Sequence, residues 1–357
     1  MTEPYDAAPH VVVFGDVFDD VIVTPSGDIR PDTDTTARIE RHAGGSAANA
    51  AAWFGHLGCR VDFAGHVNVD DVARHESLLR RHGVTPHLSG DDRPTGTIVV
   101  ILQPDRTRTM LTERGANALT SPADVDRTLL RPGGHLHFTG YTVFADGSPD
   151  AHAAFSTLID AARAAGVSVS VNPGSAGFIA EHGAESLVAA MAGATIVLPN
   201  LDEGRALTGL DDPDDVVTAL LERHDIVALT LGRGGVLAAT RTSPARDTAG
   251  TRGIAEQAGP ASGVVCVRVP AVPVTPVDTT GAGDAFGAGF VDSLLRSGPL
   301  TAGAVGATRL EAAARAGVAC AALAVTRLGA RPPLQDARVA AEPLIGDRPQ
   351  PAPRMIP

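Results

Sequence analysis

The chain has no lysine: its 29 basic residues are all arginine, set against 41 acidic ones for a formal charge of −12. So acidic a molecule offers no cationic field to a polyanion, which argues against nucleic acid as a partner. The missing lysine, beside abundant Ala and Gly, is a compositional bias and carries no function. Cysteine is scarce. Cys59, Cys266 and Cys320 are widely separated and odd in number, and no CxxC occurs, which excludes a disulfide framework or a cysteine metal cluster and fits reduced thiols. No apolar run reaches the length of a membrane span, and residues 1–10 are acidic and polar rather than basic then apolar, so the expected location is the cytoplasm, with no membrane partner. The twelve histidines show no HExxH or comparable spacing, so none is read as a zinc ligand or as catalytic.

What is present is an ordinary globular balance, 44% apolar and 20% charged over 357 residues, enough to bury a substantial core. Short β-branched runs alternate with helical segments. HVVVFGDV at 10–17, RVDFAGHV at 60–67, ATIVLPN at 194–200, IVALTLG at 226–232 and VLAAT at 236–240 read as strands. The Ala-rich 44–58 and DDVVTALLERH at 214–224 read as helices. Continuous apolar strands between helices predict a mostly parallel sheet covered on both faces, a three-layer α/β/α domain. Two stretches break the rhythm, and TGTIVVILQPDRTRTMLTERG at 95–115 alternates around a PDR turn as a hairpin does. The domain reading is therefore a main unit of residues 1–17, 43–94 and 115–340 with a small β-sheet lid of residues 18–42 and 95–114. A mobile loop at 241–263 and a Pro-rich tail at 341–357 complete it.

The strongest chemical signal is VDTTGAGDAFGAGFVDSLLRSGP at 277–299. Gly281 and Gly283 permit a tight turn, and Phe286, Phe290, Val291, Leu294 and Leu295 follow at helical spacing until Gly298 and Pro299 stop the helix. The free amides and positive dipole end of that helix form an anion site with the carboxylate of Asp284 in the same place. An isolated GxGD would be read as a helix cap. Here DTTGAGDAFGAGF resembles the C-terminal signature of the PfkB, or ribokinase-like, carbohydrate kinases, and the resemblance extends over most of the chain, from Val11 to about Pro333.

The resemblance implies an ATP-dependent kinase in which Asp284 deprotonates an acceptor hydroxyl while Gly281, Ala282 and Gly283 form the anion hole for the γ-phosphate. In the same frame Gly44, Gly45 and Asn49 match the GGxxxN acceptor element. Asp20 in FGDVFDD matches the carboxylate that grips sugar hydroxyls, with Asp16 and Asp19 as competitors that could equally be turn residues. Asn200 and Glu203 of PNLDE resemble the NxxE element that organises Mg²⁺ through water, although an ordinary helix start would look the same. Thr230, Gly232 and Gly235 resemble the TLGxxG segment along the nucleotide, or make only a hairpin. Asp278 and Thr280 map onto a monovalent-cation loop, completed by VTRLGAR at 325–331, but Pro333 stands where ribokinases often place a Ser ligand, which leaves a K⁺ requirement open. Arg114 either reaches the substrate or, as the plainer reading, pairs with a surface carboxylate.

Ser46 replaces the lysine usual in the GGxxxN element, and Phe18 a polar residue near Asp20, so ribose itself is disfavoured. The acceptor expected is a sugar or sugar acid, phosphorylated at a primary hydroxyl. A nucleoside is the alternative, with Phe18, Trp53 or Phe54 as an apolar wall for its base. A sugar phosphate, recognised by lid arginines among Arg38, Arg41, Arg106, Arg108 and Arg114, and a non-catalytic ligand sensor are less favoured. The implied cofactors are ATP and Mg²⁺, and an exposed lid face would suit a homodimer.

Overall fold

In the run Val11–Val12–Val13–Phe14 every side chain is buried, and successive residues enter different cores: Val11 and Val13 join one apolar cluster, Val12 and Phe14 the other. The strand is thus covered on both faces, as the continuous apolar run requires. The computed structural model describes residues 8–102, 108–145, 151–241, 263–300 and 303–334. The loop expected at 241–263, apart from its end residues, and the tail at 341–357 lie outside the described residues.

Among the described residues the strands, in chain order, are β1 (His10–Phe14), β2 (Phe18–Pro25), β3 (Ala37–Gly44), β4 (Arg60–Asn68), β5 (Val84–Asp91), β6 (Gly96–Leu102), β7 (Arg108–Glu113), β8 (His135–Thr139), β9 (Ser168–Asn172), β10 (Ile196–Val197), β11 (Ile226–Thr230), β12 (Val236–Arg241) and β13 (Val264–Val269). The helices are α1 (Ser46–His56), α2 (Val72–Arg80), α3 (Gly140–Val143), α4 (Ala151–Ala164), α5 (Ala176–His182), α6 (Ala184–Ala190), α7 (Leu201–Thr208), α8 (Pro213–Leu221), α9 (Ala282–Arg296) and α10 (Ala307–Val325).

Nine strands form one sheet in the order β13-β12-β11-β10-β9-β8-β1-β4-β5. Pairing is parallel from β5 through β11 and antiparallel for β11–β12 and β12–β13. Helices α1, α9 and α10 pack on one face and α4, α6 and α8 on the other, which makes the expected three layers. The chain leaves β1 for β4 on one side and returns to β8 on the other, so the carboxyl end of β1 is a topological switch point, where open α/β sheets bind ligands.

The second sheet, in the order β3-β2-β6-β7, takes the two stretches that break the helix–strand rhythm. Its β6–β7 hairpin keeps regular register from Thr97↔Glu113 to Leu102↔Arg108. Where the chain passes from β1 into this sheet, buried Asn117 accepts from the Val17 amide at 2.8 Å and donates to the Val17 carbonyl at 2.7 Å. One side chain thereby satisfies both backbone groups that no strand partner meets. No helix among the described residues is long and apolar enough to cross a membrane.

Candidate active site

Helix α9 begins because Gly281 adopts the left-handed conformation, φ 73°. A side chain there would also meet the Cβ of Ala330 at 2.5 Å, so only glycine lets this turn lie against the chain after α10. The first amides of α9 have no intrahelical acceptor; Ala282 N–H reaches only Thr279 O, at 3.4 Å. In that same turn Asp284 is 8% exposed. One of its oxygens accepts from Ser46 Oγ at 2.6 Å, the other from Asn49 Nδ2 at 3.4 Å. Burial, then the like charges of Asp16 and Asp20, push its carboxyl up to about 7, while the Ser46 and Asn49 bonds pull the other way. A carboxylate poised near neutrality suits a general base.

Ser46 and Asn49 come from the GGxxxN segment, more than two hundred residues away in sequence, so both motifs meet at one point. Gly44 and Gly45 make this approach possible: a side chain at Gly44 would overlap the Asp20 carboxylate, and Gly45, φ 95°, lies against the Asp16 carbonyl. Asp16 itself caps α1, accepting from the amides of Ser46 at 2.7 Å and Ala47 at 3.2 Å and from Thr139 Oγ1 at 3.3 Å. Its oxygens are held by the protein, although it lines the cavity. Asp20 keeps one buried oxygen without a hydrogen-bond partner, and burial pushes its carboxyl up to about 7 against the pull of Arg331. Asp19 turns away to pair with Arg74 at 2.6 Å.

A cavity of about 820 Å³ joins these groups to the rest of the site. Asn200 and Glu203 line it and form a capping box at the start of α7. The plain helix-start geometry is therefore present, yet Glu203 is 3% exposed and pushed up to about 8, first by burial and then by Asp284. Thr230 lines the cavity, whereas Gly232 and Gly235 do not: they make the turn between β11 and β12, where a side chain at Gly235 would collide with the Val269 carbonyl. The hairpin alternative is the geometry found at these two glycines.

Asp278 accepts from Thr280 N–H at 2.9 Å, Thr280 Oγ1 at 2.7 Å and Gly329 N–H at 3.0 Å, with Arg108 of the lid 3.5 Å away. Its carboxylate is thus engaged by protein donors. Among the described residues Arg114 pairs with no surface carboxylate. It donates to the Tyr141 carbonyl at 2.6 Å, lies 5.4 Å over the Phe178 ring and lines the cavity. The apolar wall differs from expectation: Phe18 lines the cavity, but Trp53 and Phe54, 1% and 0% exposed, are core. Besides Phe18, the rings that line it are Tyr141, Phe178, His182 and Phe286. No motif pointed to Tyr141, Phe178, Asn172 or the contact of Ser46 with Asp284, since each depends on elements distant in sequence that only the fold brings to the cavity. Arg108 was legible only as one of several lid arginines.

A buried carboxylate in the first turn of a helix, lining a cavity beneath a small sheet at the switch point of a parallel α/β sheet, is the arrangement expected of a small-molecule phosphotransferase. Residues 8–337 match the family described as pfkB family carbohydrate kinase, and the chain belongs to that family of ATP-dependent kinases. It is 30% identical over 319 residues to the ATP-dependent ribose-1-phosphate kinase of Halopiger xanaduensis, covering 87% of this chain and 90% of the relative. With the fructokinase of Salmonella typhimurium it shares 28% over 313 residues, 85% and 91% of the two chains. The crystal structure of adenosine kinase from Sinorhizobium meliloti superposes with TM-score 0.71 at 24% identity, covering 91% and 96%, a likeness of fold.

Proposed function

We propose that this kinase transfers the γ-phosphoryl group of ATP to a primary hydroxyl of a sugar or sugar acid. Asp284 takes the hydroxyl proton, and the amides of Gly281, Ala282 and Gly283 receive the charge that develops on the transferring group. Asp20, Gly44, Gly45 and Asn49 hold the acceptor, with Arg114 at its margin and Asp16 fixing the segment that carries Ser46. Thr230, Asn200 and Glu203 face the nucleotide side, and Gly232 and Gly235 shape the turn behind Thr230. The observation that carries the reading is Asp284, bonded to Ser46 and Asn49 in the first turn of α9.

The donor set fits Mg²⁺ held chiefly by phosphates and water. Among the described residues no cluster of three metal-ligating side chains exists, but buried Glu203, in an acidic cavity, gains its charge most easily beside a cation. When bound, the metal would screen the phosphates, and Asn200 and Glu203 would orient its waters. Asp278 and Thr280 remain the candidates for a monovalent ion such as K⁺.

A nucleoside acceptor is the second reading, favoured by the Tyr141, Phe178 and His182 rings on the cavity wall. The lid's outer face supports a homodimer as partner, and the three free thiols support the cytoplasm as location. Release of ADP with D-fructose, D-ribose 1-phosphate or adenosine in the presence of MgATP tests the ordering. We expect turnover with a sugar and loss of roughly 10²–10⁴ in kcat for Asp284→Asn. Adenosine as the sole substrate reverses the order of acceptors, and near-normal turnover by Asp284→Asn removes the base.

A further inference from the structure

After α10 the chain runs back beneath the acceptor side of the site and ends its approach at Arg331, followed by Pro332 and Pro333, whose rings restrict the backbone. This segment is tied down on three sides. Gly329 N–H donates to Asp278, the Ala330 carbonyl accepts from Trp53 Nε1 at 2.9 Å, and Ala330 packs under the Gly281 turn. Arg331 then points its guanidinium at the glycine pair, with NH2 donating to the Gly44 carbonyl at 3.2 Å. The Asp20 carboxylate packs against the same Gly44 so closely that no side chain would fit there. Two atoms of this guanidinium, Nε and NH1, are sealed from solvent without a hydrogen-bond partner, and so is Oδ1 of Asp20. A half-buried arginine with two sealed guanidinium nitrogens and a buried carboxylate, both packed against one glycine, are costly unless each offsets the other's charge.

We infer that Arg331 is a positioning residue for Asp20, serving as its counter-charge and fixing Gly44 between them. The inference rests on Asp20 being the carboxylate that grips the acceptor. The charges around the pair bear on that role. Asp20 is surrounded by Asp16 from the turn after β1, Asp19 on its own strand and Asp278 ahead of α9, with Asp284 beyond. His42 of β3 and His75 of α2 lie nearby, His75 held low by burial and by Arg74 and then Arg331. Burial favours the neutral acid at Asp20, and Arg331 opposes it. The guanidinium is itself pushed down to about 10 by burial, with Asp20 and then Asp19 restoring it. A neutral Asp20 would offer the acceptor one strong acceptor oxygen instead of two, so Arg331 acts on acceptor affinity without touching substrate.

The full-length protein labelled with ¹³C at the Asp side-chain carboxyl tests this. The Asp20 resonance, assigned by its loss in Asp20→Asn, is followed from pH 4 to 9 in the unsubstituted protein, in Arg331→Gln and in Arg331→Lys. We expect the Asp20 midpoint to rise by about one unit or more in Arg331→Gln, a roughly tenfold change in ionisation, and to return towards the original in Arg331→Lys. An unchanged midpoint in a folded Arg331→Gln protein overturns the inference. Should that variant not fold, the Arg331 ¹⁵Nε resonance of the unsubstituted protein serves: it should move as Asp20 titrates and stay still in Asp20→Asn, and no movement in either overturns the proposal. Thermal stabilisation by D-fructose, D-ribose 1-phosphate and adenosine separates the two ideas. If Asp20→Asn leaves it intact while the Asp20 and Arg331 signals remain linked, the acceptor reading of Asp20 fails and the pairing with Arg331 stands.

Discussion

At the scale of single residues the site depends on glycines that let backbone and carboxylate share space. Gly281 and Gly283 stand two apart in the same motif, but they face different surroundings. A Cβ on Gly281 would lie 2.5 Å from the Ala330 Cβ and 2.8 Å from its Cα and carbonyl oxygen, at a backbone φ of 73°. A Cβ on Gly283 would meet nothing nearer than Asn172 Nδ2 at 3.6 Å, within helix α9. Gly281→Ala should therefore displace the turn proposed as the anion hole from Ala330, lowering kcat by roughly 10²–10³ as loss of oxyanion donors does and lowering the melting temperature as well. Gly283→Ala should keep or slightly raise the melting temperature, because alanine is favoured over glycine in a helix, by up to about 1 kcal/mol in its interior and less in this first turn. Thermal scans and initial rates on both variants check the contrast. Equal melting temperatures for the two would remove the Ala330 contact as the reason for glycine at 281.

At the scale of elements, what could be read beforehand follows from how each element meets its neighbours. Strand β1, the hairpin β6–β7 and helix α9 announce themselves because their patterns are local: an unbroken apolar run, an alternation about a turn, a spaced row of apolar residues before Gly298 and Pro299. Strands β8 and β9 are harder to see, since HLHFT and SVSVN place histidine and serine on buried strands. Those polar residues satisfy one another across the pair, His135 with Ser168 and Ser170 at 2.8 and 2.7 Å and His137 with Ser170 at 2.7 Å, a cancellation invisible in either strand alone. Asp16 is a similar case, since its bonds to the start of α1 come from a helix thirty residues on. The lid alternates cleanly. Arg108, Met110 and Thr112 face the cavity, so Leu111 faces outward, in a row with Val99 and Val21 across the sheet, beside a second row of Ile101, Val23 and Ile39. Ile39 and Leu111 are 61% and 57% exposed. An aliphatic sheet face of that kind suits a second copy of the same face. Light scattering should give twice the 36.5 kDa chain mass for the unsubstituted protein and a shift towards the single-chain mass for Leu111→Asp. A monomer before substitution would dispose of the lid dimer.

At the scale of the whole molecule, catalysis and stability pull against each other through the buried titratable groups. Asp20 and Asp284 are pushed up to about 7 and Glu203 to about 8, burial being the first cause in each. Each holds its proton in the fold at pH values where the unfolded chain has released it. Its stabilising contribution is thus complete below about pH 4 and lost as pH rises through 7 to 8. The buried and half-buried histidines act in the opposite sense: burial pushes His82 and His137 down to about 4, and His75, His135 and His224 are lowered too. Their contribution is complete above about pH 6.5 and lost as pH falls towards 4. The fold is therefore eroded from the acid side by these histidines and from the alkaline side by the acids that line its cavity. Replacing Asp284 with Asn removes one of the alkaline losses and, through reduced repulsion, eases Asp20 and Glu203, which both feel its charge or act on it. In the absence of ATP and acceptor, Asp284→Asn should melt higher than the unsubstituted protein at pH 8, by on the order of a few degrees. That gain should shrink at pH 5, where the native carboxyl already carries its proton. Scanning calorimetry at the two pH values reads the difference. A variant that is equally or less stable at pH 8 would show that Asp284 is not held in the fold at a cost, and the case for a base tuned by burial would go with it.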